Sequence, residues 1–304
     1  SMKNLTGRFN PYSNTSASDN WVLDTQPVGI EVEIEKAGRV KRWMKEHGTL
    51  WDIKNDSSLR NDGMELTTVG QGLLGSNLDK ALEQLERSFD NNKAAISVRT
   101  SIHIHLDITD MTVDEMKTMF ALYMIYEEAF FEFDGNGREA SIYCVPWAGR
   151  SDIARNIATL LKSESHDHFC HILADHFHKY SALNLSCMRE FGTVEFRHLL
   201  TTKDVGKLRN WINIIMQIKK SAMSLTGSNF MMALSSDGWE KFNLSVWGEL
   251  IEHVMDDPEQ TFWNNMADAS ALTEGVTASG SDYLKKYKSE DCKLMYTKLG
   301  IDPA

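Results

Sequence analysis

Apolar and polar positions alternate with period two through residues 28–35: Val28, Ile30, Val32 and Ile34 fall on one side, Glu31, Glu33 and Glu35 on the other. The spacing predicts a strand with one greasy face. The pattern turns helical over 39–47. Two short apolar stretches, 50–54 and 64–69, flank the turn chemistry of Asn55-Asp56-Ser57-Ser58 and Asn61-Asp62-Gly63 and predict a hairpin-like pair. Beyond a glycine-rich loop at 70–75, Leu78, Leu82, Leu85 and Phe89 form one stripe of a helix over 76–90, with Ser76 or Asn77 as its expected cap. Residues 101–106 alternate again, and Thr112 with Glu115 is a capping-box pattern opening a helix that runs to position 133. Helices are expected over 151–162 and 166–178, then strands over 182–188 and 193–199 joined as a hairpin through Glu190-Phe191-Gly192, then a long helix over 205–223.

Strands interleaved with helices, mostly antiparallel, argue for an α+β fold. Residues 1–20, rich in Asn and Ser, read as a flexible arm; 21–225 read as one domain; 226–304 read as a mainly helical extension. No apolar run approaches the roughly 20 residues a membrane-spanning helix needs.

Charge narrows the function classes. Lys and Arg total 32 against 43 Asp and Glu, a net charge of -11. Nonspecific binding to a phosphate backbone wants a basic face, so nucleic acid is not an expected partner. An anionic protein handling an anionic ligand needs metal ions or a few focused arginines. The four cysteines, Cys144, Cys170, Cys187 and Cys292, form no CxxC pair and read as reduced thiols of a cytoplasmic chain.

Three predicted strands share one peculiarity. Glu31 and Glu33, His103 and His105, and Glu195 and Arg197 are each two residues apart, with Val32, Ile104 and Phe196 between them. In a strand, positions i and i+2 project to the same face. For any one strand, a solvated sheet face is an adequate explanation. All three on one sheet would gather carboxylates, imidazoles and a guanidinium on a single front. Crowded carboxylates raise one another's pKa unless cations lie among them, and oxygen-rich ligation with an imidazole suits Mg²⁺ or Mn²⁺. The 54–65 turn adds Glu65 as a further candidate ligand, with Lys54, Asp56 and Arg60 placed to orient a substrate.

The ordered set Gly29-x-Glu31-x-Glu33, Trp51 with Lys54-x-Asp56-x-Ser58-Leu59, Gly63-x-Glu65, Ser101-x-His103-x-His105, Lys179-Tyr180-x-x-Leu183-Asn184 and Thr193-Val194-Glu195-Phe196-Arg197 resembles the amidoligase family over residues 28–220. These are carboxylate–amine ligases of bacteria and phages, related to glutamine synthetase and glutamate–cysteine ligase. The resemblance implies a curved, mostly antiparallel sheet with helices on its convex face, like the catalytic domain of glutamine synthetase. It implies metal ligation by Glu31, Glu33, Glu65, His103 and Glu195, and nucleotide contacts from His105, Lys54 and Arg197. Catalytic roles fall to Arg197, Asp56 and Arg60, and substrate contacts to Arg138 and Asn184. The implied cofactors are ATP and Mg²⁺ or Mn²⁺. The implied reaction joins a small-molecule or peptide acid to an amine through an acyl phosphate, with an amidotransferase-type protein as a possible partner, in the cytoplasm (the host's, for a phage protein).

Other motifs are weighed against this. Gly70-x-Gly72-x-x-Gly75 matches a dinucleotide fingerprint but lacks repeated parallel βαβ units around it. His166, His168, His171, His176 and His178, with Cys170 among them, have no conventional zinc spacing and read as a polar helix face. Trp239, Trp247 and Trp263 read as packing residues. The competing functions are a non-catalytic phage structural or host-factor-binding protein on the same scaffold, a guanidino kinase, and a metal-dependent nuclease.

Overall fold

A computed structural model describes residues 27–70, 72–90, 92–147 and 179–224. The expected arm at 1–20, the helices at 151–162 and 166–178 with their histidines, and the extension at 226–304 lie outside the described residues.

The alternating stretches form strands β1 (Val28–Ile34), β2 (Trp51–Asn55), β3 (Met64–Thr68), β4 (Ser101–Asp107), β5 (Leu183–Asn184) and β6 (Thr193–Leu200). They make one six-stranded sheet in the order β2-β3-β1-β4-β6-β5, antiparallel at every pairing. The helical stretches form α1 (Gly38–His47), α2 (Gly75–Asp90), α3 (Val113–Asp134), α4 (Cys187–Phe191) and α5 (Val205–Ser224). The fold is thus a mixed helix and antiparallel-sheet architecture, with the sheet open. Among the described residues no parallel strands neighbour 70–75, so the glycine triplet there connects β3 to α2 outside any parallel βαβ unit.

Period-two burial sets the two faces apart. Val28, Ile30, Val32 and Ile34 of β1, Ile102, Ile104 and Leu106 of β4, and Val194 and Phe196 of β6 enter one apolar core with α1, α2, α3 and α5. Trp51 ties β2 to α2, its Nε1–H donating to the Ala81 carbonyl at 2.9 Å. An aromatic group of Tyr123, Phe130, Trp211 and Phe196 joins α3, α5 and β6. The register slips between Ile102 and Ile104, so that one extra residue of β6 is accommodated; His198 and Leu199, next to each other, are both buried.

The capping box at Thr112 and Glu115 forms as expected, and Gly135 ends α3 in the left-handed conformation. Two local expectations are corrected. Helix α2 already begins at Gly75, so Ser76 and Asn77 lie within its first turn and do not cap it. The strand expected over 182–188 stops after Asn184, and the expected hairpin is the short helix α4. The Asn184 side-chain oxygen accepts from both the backbone N–H and the hydroxyl of Ser186, at 3.0 and 2.6 Å, which bends the chain out of the sheet. Gly192, at φ 68°, then returns it to β6.

Candidate functional site

With the apolar side chains committed to the core, the i and i+2 polar residues of β1, β4 and β6 share the opposite face. Register sets who meets whom. Glu31 stands opposite His103, Glu33 opposite Glu65, and His105 opposite both Gly29 and Glu195. Lys54 stands opposite Glu65, and Asn184 opposite Glu195. Gly29 leaves the position beside His105 without a side chain.

The contacts are dense. His103 Nδ1 lies 3.3 Å from Glu31 Oε2, and its Nε2 lies 2.7 Å from Ser101 Oγ. Ser101 donates its hydroxyl and its backbone N–H to the same oxygen of Glu33, at 2.5 and 2.9 Å. His105 Nε2 sits 3.2 Å from Glu31 Oε1 and 2.9 Å from Glu195 Oε2. Arg197 NH1 is 2.6 Å from Glu195 Oε1 and 3.4 Å from His103 Nδ1, while its Nε donates to the Tyr143 carbonyl at 3.2 Å. The guanidinium also lies 5.5 Å from the centre of the Tyr180 ring. Most of these side chains are shielded from water; Glu31, at 28% exposure, marks the open side.

Three groups of ligand atoms, each within 4.8 Å of one another, occupy this face: Glu31 with His103 and Glu195; Glu33 with Asp56 and Glu65; and His105 with Cys187 and Glu195. The first two are the oxygen-rich sets expected for a hard divalent cation.

The carboxylates do not titrate alike. Burial pushes Glu195 up, but the His105 charge and hydrogen bond, with His103 and Arg197 behind them, outweigh it and hold the carboxyl at about 2. Burial likewise works against Glu31, and the two histidines hold it well below the usual range. Glu33 is raised by burial, which the favourable His103 and Ser101 contacts only partly offset. Glu65 is pushed to about 7 by burial and by the charges of Glu31, Glu33 and Asp56, with Lys54 opposing. Asp56 is lowered: burial acts against it, but the Ser58 hydroxyl and N–H bind its carboxylate. For His105, burial is overcome by Glu31 and Glu195, which hold the imidazole well above its ordinary value. One half of the face is therefore balanced by imidazoles and a guanidinium. The Glu33–Asp56–Glu65 half carries an excess of negative charge.

The other expected residues divide. Asn184 is buried and donates its amide to Glu195 Oε1 at 3.3 Å, so it orients a candidate ligand. Arg138 is also buried, and its NH2 donates to the Arg197 carbonyl at 2.8 Å, bracing β6 from behind. Lys54 is exposed beside Glu65. Arg60 is exposed, and among the described residues no hydrogen bond or ion pair ties it to the cluster. Glu35, on the same strand face as Glu31, is drawn away to Asn61 Nδ2 and Ser97 Oγ, at 3.3 and 3.1 Å. Cys187 joins this face although a strand over 182–188 would not mark it as a site residue; the turn chemistry of Asn184 and Ser186 is the signal in the sequence that brings it there.

Residues 74–219 match the model of a family described as "putative amidoligase enzyme". The match takes in His103, His105, Glu195 and Arg197, while Glu31, Glu33 and Glu65 lie before it. No curated protein matches the chain.

Proposed function

With residues 74–219 in the amidoligase family, we propose that the chain is an ATP- and Mg²⁺- or Mn²⁺-dependent carboxylate–amine ligase that forms an amide or isopeptide bond. The carrying observation is the meeting of three i/i+2 pairs, Glu31/Glu33, His103/His105 and Glu195/Arg197, on one face of one sheet. An open antiparallel sheet with an acidic, histidine-bearing face is what the glutamine synthetase-like reading requires.

The donor chemistry fits divalent cations. Glu33, Asp56 and Glu65 would hold one ion and Glu31, His103 and Glu195 another, with all-oxygen and oxygen–nitrogen sets respectively. Bound ions would supply the charge that lets ATP phosphates and an anionic acid approach each other.

The chain's own groups do the rest. Arg197 is fixed by Glu195, the Tyr143 carbonyl and the Tyr180 ring, and it stabilises negative charge on the phosphoryl oxygens during transfer. His105 is held by Thr193 Oγ1 at 3.0 Å from its Nδ1 and serves the phosphates from its Nε2 side. Lys54 stands opposite Glu65, and Asp56 lies with Glu33 and Glu65; in this reading they and Arg60, farther along the same turn, orient the acid and the amine. A carboxylate oxygen of the acid attacks the γ-phosphorus, and the bond to ADP breaks. The amine then attacks the acyl carbon, loses a proton, and inorganic phosphate leaves.

The test is ADP formation and oxygen-18 transfer from a carboxylic acid to inorganic phosphate, with and without Mg²⁺, across a panel of amino acids and γ-glutamyl peptides. Wild-type turnover that vanishes in Glu33→Gln and Arg197→Ala is the expected result. Indifference to nucleotide and metal, measured directly by calorimetry with a nonhydrolysable ATP analogue, sinks the reading and favours a non-catalytic binding protein.

A further inference from the structure

His105 Nε2 is short of protons for its surroundings. Its other ring nitrogen, Nδ1, lies 3.0 Å from Thr193 Oγ1. Nε2 itself faces two carboxylate oxygens, Glu195 Oε2 at 2.9 Å and Glu31 Oε1 at 3.2 Å, and it belongs to the same compact group as Cys187 Sγ. At most one N–H serves two carboxylate oxygens beside a thiol. A cation in the middle would satisfy all of them together.

We propose that His105 Nε2, Cys187 Sγ and Glu195 Oε2 form a binding site for a thiolate-preferring divalent cation of the Zn²⁺ class. Tetrahedral zinc, with bonds of about 2.0–2.1 Å to nitrogen and oxygen, spaces those two ligand atoms about 3.3 Å apart. The His105–Glu195 and His105–Glu31 separations, 2.9 and 3.2 Å, both fall short of that value by a few tenths of an ångström or less, a distance the bound ion would open. Glu31 Oε1 stands 3.2 Å from His105 Nε2, outside the compact group of three.

Sulfur decides which metal this group prefers. The other two groups offer only oxygen, or oxygen with one imidazole, and suit Mg²⁺ or Mn²⁺; a thiolate shifts preference to Zn²⁺ and similar ions. The surrounding contacts are those of a supported metal ligand set. Thr193 fixes the His105 ring, and the Asn184 amide reaches both Cys187 Sγ at 3.4 Å and Glu195 Oε1 at 3.3 Å. Glu195 Oε1 is taken up by Arg197 and Asn184, which leaves Oε2 for the metal. The thiol proton of Cys187 and the Nε2 proton of His105 both depart to solvent as the metal–sulfur and metal–nitrogen bonds form, so binding weakens as pH falls.

The inference needs neither ATP nor ligation and stands apart from the functional proposal. It has one consequence for it: Glu195 belongs to both the Zn²⁺-type group and the Glu31–His103–Glu195 group, and His105 Nε2 is the atom that otherwise serves the phosphates, so zinc occupancy and the ligase reaction compete.

Cobalt(II) titration of the full-length protein reads the site directly. Wild type should give a thiolate-to-cobalt charge-transfer band at one equivalent, which zinc abolishes and excess Mg²⁺ leaves in place. Cys187→Ser and Cys187→Ala should lose the band, with zinc affinity falling on the order of 100-fold. Cys144→Ser, Cys170→Ser and Cys292→Ser should keep it. X-ray absorption on zinc-loaded wild type, which depends on no variant's folding, should show a sulfur neighbour at about 2.3 Å. The absence of sulfur around zinc, survival of the band in folded Cys187 variants, or its loss in Cys170→Ser would each overturn the proposal.

Discussion

Glu33 and Glu65 stand directly opposite each other on β1 and β3, two carboxylates in cross-strand register on the same face of the sheet. Like charges so placed repel, and Glu65 carries the result: its carboxyl is pushed to about 7 by burial and by Glu31, Glu33 and Asp56. A carboxyl whose folded pKa exceeds its unfolded one makes the folded state hold the extra proton, so stability falls as pH rises. The window runs from the unfolded value, about 4.5, up to about 7. After allowing for solvent screening of this half-buried group, the loss is about 1–2 kcal/mol. Melting temperature in metal-free buffer should therefore drop through that window. Mn²⁺ or Glu65→Gln should flatten the drop, and an unchanged slope in Glu65→Gln would assign it elsewhere.

The same repulsion sets function against stability at Glu33. This residue is raised by burial and lies with Asp56 and Glu65 in the acidic half of the face. Glu33→Gln removes a charge while keeping the acceptor that Ser101 binds. Without metal the variant should be as stable as wild type or more so, by about 0.5–1 kcal/mol. With metal it should lose the stabilisation that wild type gains, and its Mn²⁺ affinity should fall at least about 10-fold. Paired melting curves with and without Mn²⁺ check both halves. A metal-free destabilisation above about 1 kcal/mol contradicts the account.

The faces of the strands were legible in the sequence because period two in β1, β4 and β6 leaves no freedom: Glu31 and Glu33 must share a side, as must His103 and His105. Strand order was not legible. That β1 lies between β3 and β4, so that Glu31 meets His103 and Glu33 meets Glu65, depends on pairings between segments far apart in the chain. Cys187 was hidden for a local reason. Residues 182–188 are apolar enough to read as a strand, but the Asn184 side chain captures Ser186 and diverts the chain into α4. Arg138 shows another limit: the sequence places an arginine near the motif but does not show that it is buried with its NH2 on the Arg197 carbonyl.

Arg197 is held by three different kinds of contact, and lysine cannot reproduce them. One nitrogen meets Glu195, another donates to the Tyr143 carbonyl, and the planar group lies near the Tyr180 ring. A lysine ammonium could keep the Glu195 pair but not the fork or the ring contact. Arg197→Lys should therefore behave like Arg197→Ala in ligase turnover, both reduced at least about 1000-fold. Both should also lose about 1–3 kcal/mol of stability, since the Tyr143 carbonyl loses its charged donor in each and Glu195 loses its cation in Arg197→Ala. Turnover and chemical denaturation measured on both variants decide the point; near-wild-type turnover in Arg197→Lys would show that charge alone suffices.

Gly63 controls the loop that carries Asp56 to the acidic half of the site. A Cβ at Gly63 would collide with Leu59 Cβ and come within 3.0 Å of the Arg60 carbonyl oxygen. Leu59 is nearly buried, and its N–H donates to the Asp56 carbonyl at 3.2 Å, so pushing Leu59 aside disturbs the turn that presents Asp56. Gly63→Ala should cost about 1–3 kcal/mol by overpacking and should weaken Mn²⁺ binding, although the residue touches no metal ligand itself. Leu59→Gly removes the colliding Cβ itself. The loss in the Gly63→Ala/Leu59→Gly double variant should therefore be less than the sum of the two single losses, by about 0.5 kcal/mol or more. Strict additivity in denaturation, together with unaltered Mn²⁺ affinity in Gly63→Ala, would show that the loop positions Asp56 by some route other than this contact.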